Sequence, residues 1–370
     1  MGGLIHNVES AHPLISVPMR SHRLNLLGEI ATVDHDKVLI VGAIRTTAVT
    51  LALAVAAWAF GEPQYAIPLA LSALFAGLSE AGLPVGHRWR IMLWTTMWLM
   101  LTSLLGYLVA PNVWLTVLVS ICVALATGWV GVAGPRAALV GTLALVIFTI
   151  TAGLPEALKL SLEFVALVGL GGLIQTLILV VIGFLTNRKA MRIPPSVADT
   201  LWRRLSNPGE QRQRFTRHAL RLALAIAIAT TISEFYSVPH QYWIPMTVAW
   251  IAKPDSTGTV VRVAQRVGGT LLAVLLMVAW GIWLPKPEWA LIIAIGVGAF
   301  LFFAFIWANY TIAVIGITIF MFALFAQAGE LLETSVFFRL GATVAAGLIV
   351  LATLLVVREH KPTMTGETLT

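Results

Sequence analysis

Two arginines four residues apart, Arg262 and Arg266, stand at the head of an apolar run that continues through Gly268-Gly269-Thr270. Residues at this spacing share one helix face. Two guanidinium forks side by side suit capture of a carboxylate, and equally suit charge anchoring at a membrane edge. Upstream, Tyr242-Trp243 opens a short segment that carries Thr247 and ends at Lys253-Pro254-Asp255. The two rings fit a membrane-boundary belt or a surface on which an aromatic ligand stacks. Pro245 falls in the first turn of that segment, where proline is tolerated. A short helix with prolines at both ends is a candidate broken helix, which exposes dipole ends to ligands inside a membrane.

Ionisable residues inside apolar runs are functional candidates, and Glu163 and Arg339 are the foremost here. They have opposite sign and stand 176 positions apart. Two arrangements are expected of them. They form an intramembrane ion pair, or Arg339 takes a substrate carboxylate while Glu163 carries a proton. Snorkelling of each to a nearby surface is the alternative. Glu234 and Glu80 lie near the ends of apolar runs and read as interfacial carboxylates, with Glu234 a second proton-coupling candidate. Asn309-Tyr310 reads as a polar turn, with Tyr310 a further substrate-binding candidate. His218 and His240 are isolated and read as interface residues. Cys122, the single cysteine, reads as a small buried hydrophobe.

The elements that must position these residues are membrane spans. The chain is 58% hydrophobic and 11% charged over 370 residues, whereas soluble proteins carry about 25% charged residues. A helix needs ~20 apolar residues to cross ~30 Å of hydrocarbon. Spans are expected near 38–60, 66–80, 91–110, 113–132, 137–153 and 158–186, then near 218–236, 242–252, 267–284, 289–308, 310–328 and 336–357. The fold class is therefore an all-α integral membrane protein of about twelve transmembrane segments, arranged as two parallel six-segment repeats. The short segments 66–80 and 242–252 fit a span, a half-helix or a re-entrant piece. The divisions are a cytoplasmic N-terminal segment 1–37, a first repeat 38–186, a basic linker 187–216, a second repeat 217–357 and a cytoplasmic tail 358–370. Residues 24–33 fit a short amphipathic helix on the inner surface.

With both termini cytoplasmic, only Lys159, Lys286 and Arg339 of the 24 lysines and arginines fall on the outer side. The net charge of +7 is thus spread over every cytoplasmic edge, and no nucleic-acid partner is expected. The repeat is written in the sequence. Gln64-Tyr65-Ala66-Ile67-Pro68 matches Gln241-Tyr242-Trp243-Ile244-Pro245, and Arg45 matches Arg221 at an offset of 176. Gly171 and Val180-Val181 match Gly347 and Val356-Val357 at the same offset. An even number of spans per half inserts both halves the same way up, and transporters often bind substrate at such a repeat interface.

The second half carries Tyr242-Trp243 before Thr247, Pro254 after the short segment, and Arg262-x3-Arg266-x-Gly268-Gly269-Thr270 entering the next. Asn309-Tyr310, Thr318 and Arg339 follow. This resembles the fusaric acid resistance protein-like family, which includes aromatic carboxylic acid efflux proteins. The resemblance is clearest over about 217–350; in the first half Ala66 replaces the tryptophan. It implies secondary-active, proton-coupled efflux of small aromatic or amphipathic organic acids across a bacterial cytoplasmic membrane. Arg339, Tyr242, Trp243, Thr247, Tyr310, Arg262 and Arg266 would bind substrate, and Glu163 and Glu234 would carry protons. Many members hold a large cytoplasmic domain between their membrane halves, where this chain has only its short linker. The partners expected are the organic acid and membrane lipids, with a homo-oligomer compatible. The alternative from another class is a non-transporting membrane scaffold or cell-envelope assembly factor. No Gly-x4-Gly-Lys-Ser/Thr, His-Glu-x2-His or Gly-x-Ser-x-Gly motif is present, so no enzyme, cofactor or metal is expected.

Overall fold

The computed structural model describes residues 26–81, 83, 85–154, 158–186, 203–207, 209, 211–236, 240–283, 288–330 and 332–357. A six-residue helix α1 (Leu26–Ala31) comes first. Six helices follow: α2 (Ile40–Ala59), α3 (Ala66–Ser79), α4 (Val85–Val109), α5 (Val113–Val130), α6 (Pro135–Ala152) and α7 (Leu158–Thr186). Six more complete the fold: α8 (Gln211–Phe235), α9 (Trp243–Ile251), α10 (Ser256–Trp283), α11 (Glu288–Phe305), α12 (Tyr310–Gln327) and α13 (Leu332–Val356). Among the described residues there is no strand.

Local chemistry sets several starts. The Asn112 and Asn309 side-chain oxygens accept from the Leu115 and Ile312 amides at 3.0 Å, capping α5 and α12. Gly134, at φ +123°, turns the chain into Pro135 at the first position of α6. α8 begins at Gln211, inside the stretch expected to be linker. The structural boundary there is several residues earlier than the hydropathy boundary, because Arg212, Arg214 and Arg217 are helical yet polar.

Among the described residues ten helices are long and apolar enough to cross a bilayer, beside an expectation of about twelve segments. The two others are α3 and α9, with 14 and 9 residues. At about 1.5 Å per residue they measure about 21 and 14 Å, short of ~30 Å of hydrocarbon. Both are buried almost all round: only Ile67 in α3 and Ile244 in α9 escape full burial. They form the middle of the protein, where irregular backbone at membrane depth is shielded from lipid. They meet through Phe75 and Trp250, whose rings lie edge to face at 6.1 Å.

Around them α2 packs on α3, α3 on α4 and α7, α4 on α6 and α7, and α5 on α6. In the second half α8 packs on α9, α9 on α10 and α13, α10 on α12 and α13, and α11 on α12. Between halves α5 lies on α8, α2 on α11 and α6 on α9. α11 and α12 cross at Gly298 and Gly316, where a Cβ on either would strike the other helix's backbone. The long helices leave Leu, Ile, Val and Trp side chains pointing outward. Cys122 is among the outward residues, a correction to its reading as buried.

The helix expected at 24–33 is α1. Residues 24 and 25 lie outside the described residues, as does the rest of the N-terminal segment before them. α1 does not lie free. Asn309 Nδ2 donates to the Ile30 and Thr32 carbonyls at 3.0 and 2.8 Å, and Gln265 Nε2 donates to the Glu29 carbonyl at 2.9 Å. α1 is thereby tied to α10 and to the N-terminal end of α12.

Candidate anion site in the second half

Arg262 and Arg266 share a face of α10, as their spacing requires, and both meet Tyr310 at the first residue of α12. The Arg262 guanidinium carbon lies 3.8 Å from the centre of the Tyr310 ring, a cation–π contact. Arg266 Nη1 is 3.5 Å from the Tyr310 hydroxyl. Arg339, on α13, sits 5.2 Å over the ring of Trp243, the first residue of α9. Arg266 is 2% exposed and Arg339 5%; these are interior groups, not snorkelling ones. Among the described residues none of the three arginines is paired with a carboxylate. Arg266 Nε and Arg339 Nη1 make no hydrogen bond, and the two guanidiniums are close enough to repel. Unpaired charge in a low-dielectric interior costs several kcal/mol per ion, so an anion there is strongly favoured.

The surroundings suit an organic anion. Tyr242, Trp243 and Tyr310 are buried, so the first two are not a lipid-boundary belt. Thr247 is fully buried on α9 with its hydroxyl unpartnered among the described residues, and among them no contact joins it to the arginines. Between the arginine clusters, Thr343 Oγ1 lies 3.5 Å from Thr270 Oγ1. Lys253 sits in the connection between α9 and α10. Burial, reinforced by the charge of Arg262, holds its amine down at about 7.

Glu163 stands elsewhere. It faces Tyr65, whose hydroxyl pKa it raises, and lies 3.9 Å from Lys159. The expected Glu163–Arg339 ion pair is not formed. Each residue packs on the short-helix entrance of its own half, Tyr65 for one and Trp243 for the other. Glu234 is half-buried near the end of α8. It lines, with Thr116, Ser120, Thr149, Thr230, Ser233 and Tyr242, a cavity of about 10 Å³, about the room one water needs.

Two clusters escape a reading of the sequence. Glu80 is a buried carboxylate, not an interfacial one. It accepts from Arg45 Nη2 and lies 3.1 Å from Arg88 Nε. His240, read as an interface residue, is stacked between Trp243 and Phe325 at 4.4 and 5.1 Å. Its Nε2 is 3.1 Å from Glu330 Oε2 and 3.3 Å from Ser335 Oγ, and its Nδ1 is 3.1 Å from the Tyr242 hydroxyl. Burial and the charge of Arg339 push its pKa down to about 4, while burial raises the carboxyl of Glu330. At neutral pH this contact is a hydrogen bond to a neutral imidazole, not an ion pair. Among the described residues no three of His, Cys, Asp and Glu gather as a metal site.

Residues 226–353 match the model of the fusaric acid resistance protein-like family. The matched segment contains Arg262, Arg266, Tyr310 and Arg339. Among curated proteins, this chain is 30% identical over 151 residues to inner membrane protein YccS of Escherichia coli, covering 40% of this chain and 20% of that protein. It is 33% identical over 143 residues to an uncharacterized protein of Synechocystis, covering 36% and 18%. It is 38% identical over 103 residues to an uncharacterized protein of Neisseria gonorrhoeae, covering 28% and 24%. The chain therefore matches less than a quarter of the length of these relatives. No solved structure matches it. The fusaric acid resistance protein-like segment, the likeness to an inner membrane protein and the ten apolar helices together support a multi-pass inner membrane protein.

Proposed function

We propose that the protein is a secondary-active exporter of small aromatic or amphipathic organic acids, coupled to protons, with both termini in the cytoplasm. The observation that carries this reading is the pair Arg266 and Arg339, buried at 2% and 5% exposure with no carboxylate partner among the described residues. Cations at membrane depth without counter-charge are expensive and mark ion or substrate paths. Arg262, Arg266 and Arg339 hold the carboxylate, and Tyr242, Trp243 and Tyr310 meet the apolar body of the substrate. Glu234, beside its small polar cavity, takes the proton-carrying role; Glu163, beside Tyr65, has the weaker claim.

The proposal includes two six-helix repeats inserted the same way up, residues 38–186 and 217–357. Matching contacts support it. α2 on α3, α3 on α7, α4 on α6 and α5 on α6 correspond to α8 on α9, α9 on α13, α10 on α12 and α11 on α12. The cross-contacts α5 on α8 and α2 on α11 exchange under the same swap. Arg45 grips Glu80 as Arg221 grips Ser256 Oγ and the Pro254 carbonyl, and both Arg45/Arg221 and Glu80/Ser256 are 176 residues apart.

Uptake of labelled aromatic acids into inverted membrane vesicles, with and without an uncoupler, tests direction and energy source together. Protein-dependent, uncoupler-sensitive accumulation is expected. Vesicles that accumulate no more acid than protein-free controls would overturn the exporter reading.

A further inference from the structure

We propose that the small cavity lined by Thr116, Ser120, Thr149, Thr230, Ser233 and Glu234 is a binding site for a monovalent cation, Na⁺. The site goes beyond the exporter reading and rests on it only in sharing Glu234 with the proton. Four elements build it. α5 gives Thr116 and Ser120, α6 gives Thr149, and α8 gives Thr230, Ser233 and Glu234. Tyr242 and Pro245, at the start of α9, close one side. α5 packs on α8 and α6 on α9, so oxygens from both halves of the chain meet here. The five hydroxyl residues are buried.

The lining accepts rather than donates. Thr116 Oγ1 donates to the Val109 carbonyl at 2.9 Å, Thr149 Oγ1 to the Val146 carbonyl at 2.8 Å and Ser233 Oγ to the Gln241 carbonyl at 2.8 Å. A hydroxyl has one proton and two lone pairs, so these three offer the cavity only lone pairs. Thr230 is 4% exposed, and its Oγ1 has no hydrogen-bond partner among the described residues. Glu234 adds a carboxylate that is in no ion pair among the described residues. The last turns of α6 and α8 both border the cavity, and the negative ends of their dipoles favour a cation there. Helix C-terminal ends serve Na⁺ in this way inside secondary transporters. The positive end of α9 is spent: the Trp243 and Ile244 amides donate to the His240 and Gln241 carbonyls at 2.9 and 3.4 Å, and Pro245 has no N–H. Oxygen ligands alone suit a hard cation. One carboxylate balances one positive charge, whereas a divalent ion would leave net charge in a low-dielectric interior. A volume of about 10 Å³ holds one water-sized body. That admits a bare Na⁺, but neither the larger K⁺ nor Mg²⁺ with the waters it retains.

The test is thermal unfolding of the full chain in detergent, in NaCl, KCl or choline chloride at equal ionic strength. NaCl at about ten to a hundred times the Kd should raise the midpoint by about 2–4 °C over choline. KCl should raise it much less. Glu234→Gln removes the charge, and Thr230→Val keeps the shape while removing the oxygen. Each should weaken Na⁺ binding about tenfold or more, the scale of one lost contact to a charged group, and Thr230→Ser should retain it. In choline, Thr230→Val should melt no lower than the wild type, because Oγ1 has no hydrogen bond to lose. A choline midpoint lowered by several degrees would show that hydroxyl satisfied within the protein and would overturn the site. Where Glu234→Gln does not fold, Thr230→Val decides alone. Equal midpoints in the three salts would leave one water as the occupant. A Na⁺ shift matched by K⁺, or undiminished in both variants, would be general salt stabilisation; either result removes the site. Acid uptake into inverted vesicles tests export separately, so each proposal can fail without the other.

Discussion

Replacing Arg339 by methionine should make the protein more stable while stopping transport. Arg339 is 5% exposed, has no carboxylate partner among the described residues, leaves Nη1 without a hydrogen bond and is repelled by Arg266. One unmade buried donor costs about 1–3 kcal/mol, and the unpaired charge adds several kcal/mol of desolvation. Against this stands the stacking over Trp243, worth up to about 2 kcal/mol for a desolvated cation. Methionine fills most of the stem volume and adapts to irregular space. The net expectation is a gain of about 1–3 kcal/mol, or about 1–4 °C in the unfolding midpoint of a chain this long. Thermal unfolding in detergent, beside acid efflux from vesicles, measures both halves of the claim. A binding residue that destabilises the empty protein is the usual trade between activity and stability. A midpoint lowered by several degrees would mean that the guanidinium is satisfied by the protein itself, and the reasoning for an anion site at Arg339 would collapse.

The opposite sign is expected at Glu80→Gln. Its side chain is 3% exposed between Arg45 and Arg88, and removing one partner of a buried ion pair costs about 3–5 kcal/mol; the same thermal assay should show a large loss, with efflux per folded molecule unchanged. His240 sets a pH dependence. Its pKa of about 4 lies below the ordinary 6.5, so the unfolded chain takes up the proton first. Its contribution to stability is whole above about pH 6.5 and drains away as pH falls toward about 4, by at most about 3 kcal/mol. The raised carboxyl of Glu330 works in the other direction and trims that loss. His240→Gln should flatten the unfolding midpoint between pH 6.5 and 4, and an unchanged slope would assign the acid sensitivity to other groups.

Much of this architecture is legible in hydropathy and spacing, because lipid forces long apolar runs to be helices. The positions of the short helices α3 and α9 were legible too, and their brevity was visible in the flanking prolines. What length alone leaves open is whether such a segment crosses; burial all round places α3 and α9 inside the bundle. The i,i+4 spacing put Arg262 and Arg266 on one face, and Tyr310 joins them there. The Glu163–Arg339 pairing failed for a definite reason. In the proposed repeat, equal position fixes depth and local surroundings, but the symmetry axis carries a residue to its counterpart's place and does not bring the two together. His240 and Glu330 are ninety positions apart, and no periodicity joins the loop before α9 to the loop after α12. Glu80 looked interfacial because it ends a helix. Arg45 and Arg88 lie at the same end, and three charges gathered there were the available signal of a buried cluster.

In the proposed repeat the two halves share an arrangement of helices and differ in electrostatics, and that difference is the physical core of the proposal. In the first half the deep arginine of the opening helix is neutralised: Glu80 sits between Arg45 and Arg88. At the matching place of the second half stands Ser256, which has a hydroxyl where Glu80 has a charge. Trp243 stands opposite Ala66, and Arg339 opposite Glu163. The Ser256 and Arg339 exchanges move the second half toward positive charge and the Trp243 exchange toward aromatic surface, and the unpaired charge of Arg339 costs stability. A bundle built only for support would gain by pairing those charges, since one carboxylate beside Arg266 would remove several kcal/mol of penalty. A bundle that must bind an anion and then release it gains by leaving them unpaired, because any built-in carboxylate competes with the ligand for the same guanidinium.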